Sequence, residues 1–459
     1  MTGVLLRADA VLTAHDGELL HDAGVLIAAG RIVAVGPVAE LARRAVRVID
    51  AGGVLMPGMV DAHSHLRGMP LTAQGIDPAP LEAWICALSA MTALPTRDDV
   101  LVATGDLLQT GVTTVQGMLH TFADAAEYAQ LCADAADGAV ASGIRAVLIT
   151  GFTDRAERAP EPAEGAWALP EPVTHALDVD DFVRLDVGAP HPRISWGTGP
   201  VAAQWAGDHA LAAIRDAAGD RRIHTHLHES PLQRTWLRGL PAPIDRLDAA
   251  GLLGERTSAA HAVHLTDAEL RRVRDSGAAL VHCPVSNRDL RVGSARVARW
   301  RRLGIPAALG IDSQGDGAPD MFDVMREALH TASVLGEPLE PADVLAMATT
   351  GGAAAVGDPR LGRLVPGAPA DIVGLNLPAA ADLAAQIDTI VAHGSRADVR
   401  HVWVDGRAVV LEWLAVADVK GARARLTTEL DRDTAARAAR LRALRPIVDA
   451  VTALAAVDS

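Results

Sequence analysis

Eight short β-branched runs, spaced by stretches of helical period, dominate the sequence from Val54 to Asp312. They are Val54–His63, Gly111–Met118, Ile144–Phe152, Arg193–Thr198, Arg222–Leu227, Thr257–Val263, Ala278–Pro284 and Ala307–Asp312. The segments between most of them, such as Asp208–Ala218 and Asp267–Ser276, are rich in alanine, leucine and arginine. Strands that alternate with helices pair in parallel, so eight such units predict an α/β fold, a (β/α)8 TIM barrel over residues 57–357. The distance from His63 to Asp312 suits that fold, which takes about 250 residues.

The chain ends read differently. Residues 1–56 contain short alternating strands broken by turns, including Val4–Ala8, Ala23–Ile27 and Arg31–Val35. Similar strands return at Ala370–Leu375 and Val402–Val410. Residues 1–56 and 358–412 are therefore expected to build one small β-sandwich domain from both ends, with the barrel enclosed between them. Residues 413–459 read as a charged, alanine-rich helical tail.

Composition narrows the function. A net charge of -15 argues against nucleic-acid binding. No run of about 18 uncharged apolar residues is present, so no membrane span is expected. The first residues lack a basic segment followed by an apolar core, which argues against a secretory signal. The three cysteines (Cys86, Cys132, Cys283) fit neither a disulfide framework nor a zinc-finger spacing, and a cytoplasmic setting is expected. Lys420 is the single lysine, which excludes a Walker-type phosphate loop and a Schiff-base lysine in the body of the chain.

Chemistry concentrates at the ends of the apolar runs. His63 and His65 stand two apart, so a strand turns both imidazoles to one face and toward one metal ion. His226 with Glu229, then His261, then Asp312 follow in order, each at or near the end of its own run. A barrel of this class carries its active site at the C-terminal ends of its strands. Nitrogen and carboxylate ligands on separate strands suit Zn²⁺ or Fe²⁺ with a position open to water. His224, His226 and His228 alternate and share one strand face, so periodicity leaves all three as candidate ligands. Glu229 ends that strand and is the natural proton shuttle.

These motifs resemble the amidohydrolase superfamily, in the cytosine deaminase-like branch with guanine deaminases, adenosine-derivative deaminases and triazine hydrolases. The resemblance runs through Pro57-Gly58-Met59-Val60-Asp61-Ala62-His63-Ser64-His65, His226-Leu227-His228-Glu229, Ala260-His261-Ala262-Val263-His264 and His282-Cys283-Pro284-Val285-Ser286-Asn287. It continues in Leu309-Gly310-Ile311-Asp312-Ser313 and Gly362-Arg363-Leu364-Val365-Pro366-Gly367. It implies that His63, His65, His226 and Asp312 hold one divalent metal, zinc with iron as the alternative. Glu229 would be the general acid and base, His261 would polarise the attacking water, and Asp312 would share its proton. Ser286 and Asn287 look like a structural turn. Two-metal members use a carboxylated lysine bridge, and Lys420 lies beyond the barrel, so a mononuclear site is implied.

The function implied is hydrolytic deamination of a nitrogen heterocycle of purine, pyrimidine, pterin or triazine type, with release of ammonia. The alternatives are displacement of a halide or alkylamine from a triazine, opening of a cyclic amide, and, more remotely, a non-catalytic scaffold. Gly199-Pro200-Val201 stands where adenosine-derivative deaminases carry Gly-Pro-His, which weighs against an adenosine-type substrate. Candidate substrate contacts are Trp84, where related enzymes place an aromatic, Gln74 after the histidine pair, Gln116 at the second strand and Trp196 near the fourth. The expected partner is a small heterocycle, and the resemblance implies a homodimer.

Overall fold

The computed structural model describes residues 3–120, 124–154, 177–188, 190–235, 241–313 and 320–455. Among them, eight parallel strands follow one another in chain order around a single sheet. They are β1 (Met59–Ser64), β2 (Val112–Leu119), β3 (Arg145–Phe152), β4 (Ile194–Pro200), β5 (Ile223–Leu227), β6 (Thr257–His261), β7 (Ala279–His282) and β8 (Ala307–Leu309). A parallel bridge between Ser64 and Asp312 joins the last strand's extension back to the first. The fold is a TIM barrel with an additional domain from the chain ends. None of its described helices is long and apolar enough to cross a membrane.

The run Val54–His63 is two strands rather than one. Val54–Pro57 belongs to a second sheet, where it pairs with Gly3–Leu12 on one side and Ile372–Leu375 on the other. It is thus the piece that joins the two chain ends. Gly58 makes the break: a Cβ there would lie 2.0 Å from Thr113 Oγ1, so no larger residue fits where the chain enters β1. The second sheet buries Leu6, Val25, Leu55, Ile372 and Trp403 together, apolar residues contributed by both ends.

The two sheets are clamped at Arg145, the first residue of β3. Its guanidinium donates to Asp371 Oδ2 at 3.0 Å and to Asp405 Oδ1 at 2.6 Å, both in the C-terminal part of the second sheet's chain. Charge-assisted bonds of this kind are strong, and here they satisfy the Asp371 carboxylate, which packing has taken from water.

The C-terminal helices lie against the barrel. Helix α1 (Leu81–Leu88) is covered on one side by α2 (Thr434–Ala455), through Ile447, Val448 and Val451 against Ala83 and Cys86. Arg437 donates to Thr92 Oγ1 at 2.8 Å, and Arg440 reaches the Ala90 carbonyl at 3.1 Å, tying α2 to the loop after α1. This matters because the opposite side of α1 faces the active-site cavity.

Replacing Arg145 with methionine strands the buried Asp371 carboxylate, and should cost about 3–5 kcal/mol of unfolding free energy. Denaturant titration checks this; a loss below about 1 kcal/mol, the range of a surface ion pair, would contradict the clamp.

Candidate metal centre and active site

The backbone sets the site. β1 ends in His63 and Ser64, and Asp312 follows β8, so barrel closure lays these two segments side by side. Asp312 N–H donates to the His63 carbonyl at 2.8 Å, and His65 N–H to the Asp312 carbonyl at 3.4 Å. Gly310 permits the approach, since a Cβ there would lie 2.9 Å from His63 Cβ.

Side chains then converge. Nε2 of His63 and Nε2 of His65 each lie 3.3 Å from Asp312 Oδ1, and Nε2 of His226 lies 3.3 Å from Nε2 of His65. Donors held about 2.0–2.1 Å from one ion sit about 3.3–3.4 Å apart at tetrahedral angles, so the spacing suits a cation such as Zn²⁺. Hydrogen bonding on the far side of the rings agrees. His226 Nδ1–H donates to the Val201 carbonyl at 2.7 Å, which leaves a lone pair on Nε2. Nε2 of His63 and of His261 are buried without a hydrogen-bond partner. His63, His226 and His261 are buried and His65 is half-buried, with neighbouring ring centroids 4.8 to 5.5 Å apart, an arrangement that a shared cation would satisfy.

Behind His63 lies a second layer. His63 Nδ1 meets His224 Nε2 at 2.8 Å, and His224 Nδ1 meets Ser258 Oγ at 2.8 Å. Gln116 Nε2 donates to the Ala62 carbonyl at 2.8 Å and to Ser258 Oγ at 3.1 Å. A hydrogen on His63 Nδ1, donated to His224 Nε2, leaves His63 Nε2 ready to ligate. Of the three alternating histidines on β5 and its end, His226 joins the cluster, His224 supports it from below, and His228 lies outside it.

Glu229 and His261 complete the floor. Glu229 Oε1 lies 3.6 Å from His261 Nδ1, and Glu229, His261 and Asp312 form a group of mutually close donors. His261 Nδ1 also bonds Asn287 Oδ1 at 2.9 Å, and Ser286 Oγ donates to Asp312 Oδ2. Ser286 and Asn287, expected as a turn, therefore orient two site side chains. Pro284 at the start of the short helix Pro284–Asp289 restarts the chain there, and that juxtaposition was the available signal. His120, at the end of β2, touches His65 Nδ1 through Nε2 at 3.2 Å.

Two of these residues sit in strained backbone. His261 has φ +70° and Asp312 φ +68°, left-handed conformations that cost of order 1–3 kcal/mol for such side chains. Electrostatics is equally polarised. Burial, then the charges of Asp312 and Glu82, push the Glu229 carboxyl well above its usual range. Burial alone would raise Asp312 too, but the adjacent His63 and His65 imidazoles hold it well below.

The cavity over this floor is lined by Trp84, Trp205 and apolar residues of α1 and its surroundings. Of the four candidate substrate contacts, Trp84 lines it and three do not. Gln74 is turned away, its Oε1 accepting from Thr92 N–H at 3.0 Å. Gln116 is buried beneath His63 as described, and Trp196, half-buried, packs against the main apolar core. Strand parity identifies a face of the sheet but not the depth along it.

Comparison with known proteins agrees with this picture. A profile described as the amidohydrolase family matches residues 54–409. A 5-methylthioadenosine/S-adenosylhomocysteine deaminase of Teredinibacter turnerae is 30% identical over 387 residues, spanning 79% of this chain and 81% of that protein. The crystal structure of an adenosine deaminase from Xanthomonas campestris with bound zinc superposes with a TM-score of 0.77 at 26% identity, covering 98% of this chain and 99% of that one. An atrazine chlorohydrolase of Arthrobacter aurescens complexed with zinc shares the fold, with a TM-score of 0.79 at 23% identity over 93% of this chain and 100% of the other.

The buried histidines make the metal-free protein sensitive to acid. Burial holds His63 down at about 4 and His282 down at about 3. Between the unfolded value near 6.5 and those values the unfolded chain binds the extra proton, so stability falls as pH falls, by about 1.4 kcal/mol per pH unit for each histidine. Urea titrations of metal-free protein from pH 7.5 to 5 should show this fall, and His282→Gln should make it shallower. Identical slopes for the two proteins would contradict the assignment.

Proposed function

The chain belongs to the amidohydrolase family, and from that premise we propose that it is a hydrolytic deaminase, which replaces an exocyclic amino group on a nitrogen heterocycle by oxygen and releases ammonia. The observation that carries the reading is the buried Glu229 carboxyl standing beside the converged imidazoles, 3.6 Å from His261. His63, His65, His226 and Asp312 are the proposed ligands of one divalent ion, zinc before iron, given three nitrogens and one carboxylate. When bound there, such an ion would supply the Lewis acidity that lowers the pKa of a water toward neutrality.

The chain's own residues move the protons. Glu229 accepts a proton from the attacking water and passes it to the ring nitrogen beside the carbon under attack. The carboxylate then takes the proton still on the former water oxygen and delivers it to the exocyclic nitrogen, the carbon–nitrogen bond breaks, and ammonia leaves as the ring carbonyl forms. One water is consumed and one ammonia is released. Its raised affinity for protons suits a group that must hold and return one near neutral pH. His261, oriented through Nδ1 by Asn287, offers Nε2 to the water or to the oxygen it becomes. Asp312, gripped by Ser286 through Oδ2, keeps Oδ1 toward the histidines and shares the water's proton.

Glu229→Gln preserves shape while removing the transferable proton. It should retain about one metal per chain and lose ~10²–10⁴ of turnover. Ammonia release across aminopurines, aminopyrimidines, pterins and aminotriazines, with metal content measured on the same samples, is the check. Undiminished turnover in this variant would overturn the mechanism, and release of halide or alkylamine without ammonia would overturn the deaminase reading.

A further inference from the structure

The cavity is chemically lopsided. At its floor stand the histidines, Glu229 and Asp312, while its outer wall is formed by Leu71, Leu81, Ile85, Leu88 and Met91. Trp84 and Trp205 add flat faces on which a planar ring can lie. Glu229 and Asp312 are the carboxylates among the described lining residues, and both belong to the floor.

The polar groups near the wall are engaged by protein. Arg67 Nη1 lies 3.8 Å from the buried Asp99 carboxylate, His120 is bonded to His65 at 3.2 Å, and Ser313 Oγ donates to Asp312 Oδ1 at 3.4 Å. Glu82, on α1 between two wall residues, is buried and accepts the Ser230 hydroxyl. Among the described residues, a ligand group resting on this wall therefore meets mainly hydrocarbon. Vicinal hydroxyls placed there would leave water without gaining an acceptor, whereas an alkyl group would gain by burial.

Resting on the deaminase reading, we propose that the substrate is a planar amino-substituted heterocycle bearing an apolar substituent, alkyl or aryl, at the position where a nucleoside carries its sugar. The amino-bearing carbon lies over Glu229, the ring lies along Trp84 and Trp205, and the substituent runs onto the wall of α1. The α2 helix behind α1 holds that wall in place.

Matched pairs test this on the metal-loaded enzyme. An N-butyl adenine is set against adenosine and methylthioadenosine, and an aminotriazine with a butyl side chain against one with a dihydroxypropyl side chain. Initial rates of ammonia release give kcat/KM, and tryptophan fluorescence of metal-loaded Glu229→Gln gives Kd for the same compounds without turnover. The apolar member of each pair should win by about 100-fold, the factor for two hydroxyls left without partners. Equal or better turnover and binding of the hydroxylated members would overturn the inference and leave the deaminase reading intact. Tighter binding of the apolar members with no ammonia from any compound would uphold the apolar wall and remove the deaminase reading.

Discussion

The closure of the barrel between β1 and β8 is the constraint on which the rest of the structure depends. The bonds that close it are made by the backbone of the candidate ligands themselves: Asp312 N–H to the His63 carbonyl, and His65 N–H to the Asp312 carbonyl. The segment after β8 meets β1 only when the seven strands between hold their register, so the ligand geometry reports the whole sheet. The reverse also holds. Nε2 of His226 and Nε2 of His65 stand 3.3 Å apart, and a cation bound between them would add its binding energy to the stability of the closed barrel.

Around this closure the chain accepts local cost for fixed geometry. His261 and Asp312 occupy left-handed backbone, where the next residues are forced away from the strand direction and the side chains toward the cavity. Neighbouring groups then remove their freedom: Asn287 fixes His261, Ser286 fixes Asp312, and His224 with Ser258 and Gln116 fixes His63. A site built this way reorganises little when charge develops in it. The additional domain and the C-terminal helices contribute at a distance, through Arg145 on one side and through α2 against α1 on the other.

Much of this was legible in the sequence, for identifiable reasons. Eight apolar runs of strand length survive as eight strands because buried parallel strands need continuous apolar sequence. The rings of His63 and His65 do come together at Asp312, although His65 stands one residue past the end of β1 and strand periodicity alone does not place it. The run Val54–His63 misled because hydropathy does not register the Gly58 break, which is enforced by Thr113, distant in the chain. Gln74 and Gln116 could not be separated from pocket residues, since their partners, Thr92 and Ala62 with Ser258, are brought to them by the tertiary fold. The C-terminal helix gave no sign of its position behind the cavity, because its apolar residues show only that one face is covered.

The account rests on the convergence of His63, His65, His226 and Asp312 on one cation. Anomalous diffraction from crystals of the protein loaded with zinc tests it directly. The account predicts one strong peak per chain, about 2.0–2.2 Å from Nε2 of all three histidines and from an Asp312 oxygen. No peak in fully loaded crystals, or a peak that bypasses His226 or Asp312, would contradict it.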